Sequence, residues 1–195
     1  MRRTRPLPDT HPELSILDHP TSREFRVENW RLARDGSKKV LKFHGWSWLD
    51  AFLPVVLAVL WPSIVASTRN ALVMAVMLAL YTYSKCTQVL WESVIAIPSL
   101  GIQMETHRGP LLTMPIFVSR HFIPLEHLQD FIINEGLRGW DVRYYIAAVK
   151  FTPSGGGGTS LRVAYENILP YFPVLLEVYH GVHEAMFNDT NENPG

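Results

Sequence analysis

One cysteine, Cys86, is all the chain has in 195 residues. No internal disulfide is possible, which fits a reducing compartment. Net charge is also missing: 18 Lys and Arg balance 18 Asp and Glu. A balanced chain lacks the strongly basic face that nucleic acid requires, so no nucleic-acid partner is expected. No apolar run follows Met1-Arg2-Arg3-Thr4-Arg5-Pro6 within the first 30 residues, so no secretory signal peptide is read. Catalytic patterns are absent as well. There is no G-x-S-x-G elbow. The Gly155–Gly158 run has no following Gly-Lys-Ser/Thr and joins two expected strands, so it reads as a spacer and not a phosphate loop. His180, His183 and Glu184 stand in the wrong order for the zinc helix pattern H-E-x-x-H and read as a polar helix face. Cys86 has no neighbouring Cys or His and reads as an inert thiol. Glu126, Asp130, Glu135 and Asp141 are of the type used in glycosyl transfer or hydrolysis. None of them adjoins a glycine-rich nucleotide loop. No catalytic, metal-binding or cofactor-binding residue is therefore assigned, and no cofactor is expected.

What is present is unevenly spread. Residues 1–45 hold ten of the 18 basic residues against six acids. Residues 1–22, with Pro6, Pro8, Pro12 and Pro20, read as a flexible tail. Glu24–Trp30 alternates charged and apolar residues like a short strand. Ala51–Ala66 and Ala71–Tyr83 are apolar runs separated by Ser67-Thr68-Arg69-Asn70. Extended to about 47–66 and 71–90, with Trp46, Trp48, Trp61, Tyr81, Tyr83 and Trp91 near their ends, they approach the roughly 20 residues of a membrane helix. Arg31, Arg34, Lys38, Lys39 and Lys42 before the pair, and Lys85 near its end, would set both chain ends in the cytosol. A buried helical hairpin in a water-soluble core is the alternative.

Residues 92–187 read as a small antiparallel β domain. Strands are expected at Ser93–Ile97, Ile102–Glu105, Leu111–Ser119, within Phe122–Asn134, and at Tyr144–Phe151 paired with Leu161–Tyr165. Leu175, Val178, Tyr179, Val182, Ala185 and Met186 recur at helical spacing after Pro173. Residues 188–195 read as a tail. The expected fold class is thus an α+β membrane protein: a two-helix membrane hairpin at 46–91, then a pleckstrin-homology-like (PH-like) antiparallel domain closed by a C-terminal helix. That layout by itself implies no ligand.

Several blocks resemble the PIG-H family, an accessory component of phosphatidylinositol N-acetylglucosaminyltransferase, in its fungal form. They are Glu92-Ser93-Val94-Ile95-Ala96-Ile97-Pro98-Ser99-Leu100-Gly101-Ile102-Gln103, Phe122-Ile123-Pro124 with Leu128-Gln129-Asp130-Phe131-Ile132-Ile133-Asn134-Glu135, Tyr144-Tyr145-Ile146, and Leu169-Pro170 with Pro173–Tyr179. Tyr171-Phe172 departs from the basic residues expected there, and His180-Gly181 would loosen the helix. The resemblance implies a non-catalytic subunit of the complex at the endoplasmic reticulum membrane. That complex transfers GlcNAc from UDP-GlcNAc to phosphatidylinositol, the first step of glycosylphosphatidylinositol (GPI) synthesis. Its implied partners are a catalytic PIG-A-type subunit, the other subunits and membrane lipid. Exposure suggests three contact elements: the turn Ser99, Leu100 and Gly101; the turn Asn134, Glu135 and Gly136; and Glu177 and His180 on the C-terminal helix. The competing reading is a membrane-anchored PH-like lipid-binding or scaffold module. Against it, residues 92–187 carry only six Lys and Arg, with no dense cluster for head groups.

Overall fold

A computed structural model describes residues 2–32, 40–42, 50, 52–110, 115–152 and 158–187. Eleven strands are found among them: β1 (Arg2–Thr4), β2 (Leu14–Asp18), β3 (Arg23–Glu28), β4 (Trp30–Leu32), β5 (Val40–Lys42), β6 (Val89–Ile97), β7 (Gly101–Arg108), β8 (Phe117–Pro124), β9 (Leu128–Arg138), β10 (Asp141–Thr152) and β11 (Gly158–Ala164). The three α-helices are α1 (Phe52–Ala66), α2 (Thr68–Cys86) and α3 (Phe172–Phe187). A six-stranded sheet runs β1-β2-β3-β6-β7-β8, and a three-stranded sheet runs β11-β10-β9. All their pairings are antiparallel. β4 and β5 form a separate pair.

Alternation sends every second side chain inward. Leu14, Phe25, Val27, Val94, Ile102 and Ile123 of the first sheet meet Phe131, Ile146 and Ala148 of the second. Val174, Leu175, Val178 and Val182 of α3 complete one continuous core.

The expected membrane hairpin is not what folds. The chain is mostly antiparallel β-sheet with three helices, and among the described residues no helix is long and apolar enough to cross a membrane. The 15 residues of α1 rise only about 22 Å against a hydrocarbon core of about 30 Å. α2 has 19 residues but opens on Thr68-Arg69-Asn70 and closes on Ser84-Lys85-Cys86. Lys85 near its end is paired within the chain: its Nζ lies 2.6 Å from the Asp50 carboxylate, which also accepts the Tyr81 hydroxyl at 2.8 Å. The second run does not reach residue 90. α2 stops at Cys86 and the chain enters β6 at Val89, so Trp91 belongs to the sheet, stacked 4.6 Å from His107. Trp46, Trp48 and three of the basic residues that oriented the hairpin, Arg34, Lys38 and Lys39, lie outside the described residues, as do Leu111–Met114, Gly155–Gly157 and the tail from Asn188.

The N-terminal region is built into the sheet. Residues read as a tail contain β2, whose Leu14 and Leu17 are buried, and β3 pairs directly with β6. Two contacts then tie β3 to the end of the chain. The buried Tyr165 hydroxyl donates to the Phe25 carbonyl at 2.8 Å. Gly181 lies over the Phe25 ring so closely that an added Cβ would sit 2.4 Å from Phe25 Cε1. The glycine read as loosening α3 is the slot that admits Phe25. Glu92 anchors the approach to α3, accepting from the backbone N–H groups of Asn167 and Ile168 at 3.2 and 3.1 Å. It also accepts from Asn167 Nδ2 at 2.6 Å and Thr106 Oγ1 at 3.1 Å.

Alanine at Gly181 tests this slot. Helix propensity alone would stabilise by about 1 kcal/mol, but overpacking against Phe25 reverses the sign. Gly181→Ala is expected to lose about 1–3 kcal/mol in urea unfolding. Phe25→Leu in the same chain should recover part of that loss.

Candidate docking surface

The eight residues expected to contact a partner fall in three places. Ser99, Leu100 and Gly101 form the β6–β7 turn, with Ser99 at φ 78° and Gly101 at φ 139°. Ser99 and Leu100 are exposed, but Gly101 is buried under the end of β8. A Cβ there would lie 2.1 Å from the Ile123 carbonyl oxygen, and Leu125 N–H donates to the Leu100 carbonyl at 2.9 Å. Glycine is required here by close backbone approach, so Gly101 offers no surface to a partner.

Asn134, Glu135 and Gly136 are not a turn. They lie inside β9, paired with Tyr145, Tyr144 and Arg143 of β10. The turn comes later, at Gly139-Trp140, with Gly139 at φ 65°. The Asn-Glu-Gly turn signal is overridden by cross-strand packing: the Tyr145 ring covers Gly136, its Cε1 3.1 Å from where a Cβ would stand. On α3, His180 is exposed and Glu177 half-buried.

Glu135 leads to a surface that sequence reasoning missed. The core-facing sides of β9 and β10 continue beyond the point where α3 covers them. Leu137 and Val142 face each other across the ladder and are 83% and 59% exposed. Trp140 at the tip is fully exposed. Tyr144 sits beside Glu135, whose hydrogen bond and charge raise the Tyr144 phenol above its ordinary pKa. The Tyr144 ring centroid is 4.8 Å from that of Phe172, the first residue of α3. Asp141–Tyr144 and Pro170–Pro173 enclose a cleft of about 430 Å³. His11, hydrogen-bonded to Glu13 at 2.9 Å, reaches Tyr171 at 5.8 Å and braces this corner from the N-terminal side. Clustered exposed aromatics and aliphatics of this kind mark protein interaction sites. The available signal was Tyr171-Phe172, which stood out only as a departure from basic residues.

Two further carboxylates and a helix histidine noted in the sequence have structural partners. Asp141 pairs with Arg143 at 3.8 Å, and Asp130 accepts its neighbour's Phe131 N–H at 2.7 Å. His183 donates through Nε2 to the Phe131 carbonyl at 2.9 Å. Among the described residues, no three His, Cys, Asp or Glu side chains gather to hold a metal.

This geometry coincides with a family match. The model of the family described as "GPI-GlcNAc transferase complex, PIG-H component" matches residues 93–166, from β6 to the end of β11. Residues 93–166 are thus similar to the PIG-H component of that complex. The matched stretch contains the whole Leu137–Tyr144 overhang and the Ser99–Gly101 turn, while α3 and β1–β3 lie outside it. The chain is also similar to the fission yeast (Schizosaccharomyces pombe) protein named phosphatidylinositol N-acetylglucosaminyltransferase subunit gpi15. They are 34% identical over 88 residues, which is 45% of this chain and 49% of the yeast protein. The chain thus matches about half the length of this curated relative. No solved structure matches it.

The Glu135–Tyr144 pair gives a spectroscopic prediction. Ultraviolet titration of the chain, compared with Tyr144→Phe, should assign to Tyr144 a phenol that ionises above pH 10. Glu135→Gln should lower that value. No change on removing the carboxylate would mean that the pair is not formed.

Proposed function

We propose that this chain is a non-catalytic subunit of the GPI-GlcNAc transferase complex. The complex transfers GlcNAc from UDP-GlcNAc to phosphatidylinositol, the first step of GPI-anchor synthesis. The observation that carries the reading is the PIG-H match over residues 93–166, and the named role of the yeast relative supports it. The chain's contribution is docking. It holds a catalytic PIG-A-type glycosyltransferase, with other subunits, at the endoplasmic reticulum membrane beside its lipid substrate. Tethering raises the partner's effective concentration. Both termini and the PIG-H domain face the cytosol, where the sugar nucleotide is held.

The Leu137–Trp140–Val142–Tyr144–Phe172 surface is the primary contact in this reading. Its apolar residues are exposed at the end of a rigid β ladder, and one wall of the cleft is α3. Glu135 lies beside it, Glu177 and His180 extend the contact along α3, and Ser99 and Leu100 belong to a separate, smaller contact.

Affinity purification of the tagged full chain from gently solubilised membranes tests the assignment. A glycosyltransferase should copurify, with GlcNAc-phosphatidylinositol formation in the eluate. Trp140→Ala with Leu137→Ser should reduce both at least about tenfold, as expected for loss of a buried aromatic anchor, with the far-ultraviolet circular dichroism unchanged. Full recovery of partner and activity by this variant would remove the overhang from the interface. The orientation has its own readout. The sequon Asn188-Asp189-Thr190 lies outside the described residues and should carry no glycan; an endoglycosidase-sensitive mass shift would reverse the topology.

A further inference from the structure

β8 is the outermost strand of the six-stranded sheet, and among the described residues nothing pairs with its outer edge. Its ladder with β7 is regular over eight residue pairs, with no bulge. Six successive residues, Phe117 to Phe122, are all exposed. A sheet strand with one covered face would alternate, so this segment is open on both faces as well as along its edge. Its only prolines sit at or before its ends, Pro115 and Pro124, so proline removes none of the alternate N–H groups that point away from β7 between them. A long edge of this kind is usually blunted or paired.

Side chains on the outer face of the sheet specify what the edge would take. The register sets Arg26, Ser93, Glu105 and Arg120 in one row across β3, β6, β7 and β8. Arg120 donates through Nε to Glu105 at 2.9 Å, yet its side chain is 63% exposed. Glu105 is held ionised: burial pushes its carboxyl up, but hydrogen bonds from His107, Gln103 and Arg120 outweigh this and hold it below the usual range. With Nε engaged by Glu105, the rest of this exposed guanidinium is open to solvent and chemically suited to a further carboxylate. Val118 and Phe122, two residues either side on the same face, are 37% and 45% exposed.

We propose that β8 accepts an extended segment of another polypeptide by strand addition, a segment with a carboxylate side chain opposite Arg120 and apolar side chains two residues to either side, opposite Val118 and Phe122. Main-chain pairing supplies the affinity and the acid the register. A second copy of this chain fits poorly, because antiparallel self-pairing about the middle of β8 brings either Arg120 or His121, depending on the register, against its own copy. The inference rests on the sheet edge and is independent of the transferase assignment.

The test uses the full chain in mild detergent with a fluorescein-labelled Thr-Val-Thr-Glu-Thr-Val-Thr peptide, read by anisotropy. The Glu peptide should bind about five- to tenfold more tightly than its Lys counterpart, the size of one exposed cross-strand charge pair exchanged for a repulsion. Methylating alternate backbone nitrogens should abolish binding in one of the two phases. In Arg120→Gln, with unchanged circular dichroism, the Glu and Lys peptides should bind within about twofold of each other. No binding, equal binding of the two peptides to the unaltered chain, or indifference to methylation in both phases would each overturn the proposal. So would self-association in sedimentation that Arg120→Gln strengthens, because that outcome gives the edge to a second copy.

Discussion

The structure depends on burying Phe25. Its ring is fully enclosed, its carbonyl is taken by Tyr165, and Gly181 of α3 lies directly over it. These partners come 140 residues or more after it in the chain. The core is therefore closed by a contact between the two ends of the sequence. Without β3 in the sheet, α3 would face an empty space the size of a phenyl ring, and the cleft between Pro170–Pro173 and β10 would lose the helix that forms its wall. The proposed docking surface rests, two steps removed, on a single aromatic side chain outside the PIG-H match.

Much of the β architecture was legible from alternation. The strands around Val94, Ile102 and Ile146 and the helical spacing of Leu175, Val178 and Val182 fall where the pattern put them. Two kinds of feature were not. β2 lies in proline-rich polar surroundings that suggest disorder, and its buried Leu14 and Leu17 are three residues apart, on opposite faces of the strand, so they give no period-two signal. A strand so short gains its stability from its neighbours and carries little signal of its own. The helical hairpin failed in the opposite direction. Its apolar runs were strong, but helix length is set by where the backbone turns: the first run ends at Ala66 as expected, while the turn at Thr87 stops the second four residues short of residue 90.

The candidate site divides in the same way. Ser99 and Leu100 are exposed as expected, because a tight turn must project its central residues. Gly101 is buried because the same turn closes on β8, a long-range contact that no local pattern encodes. The Asn134–Gly136 segment shows local turn preference overruled by an eleven-residue strand. The overhang itself was invisible for a further reason. Leu137, Val142 and Tyr144 occupy ordinary core positions of a ladder, and only the end of α3 determines that they are left uncovered.

β3 and β6 are adjacent antiparallel strands, and Asn29 closes their end by donating to the Leu90 and Val89 carbonyls at 2.9 and 2.8 Å. Everything between them, including α1, α2 and the β4–β5 pair, is topologically one long hairpin loop. Loop-closure entropy grows only logarithmically, by about 0.6 kcal/mol for each doubling of length. Relative to a tight turn, this excursion costs the sheet roughly 2–3 kcal/mol. The helical segment and the sheet can therefore change in length and composition almost independently, the first without shifting a single strand register in the second.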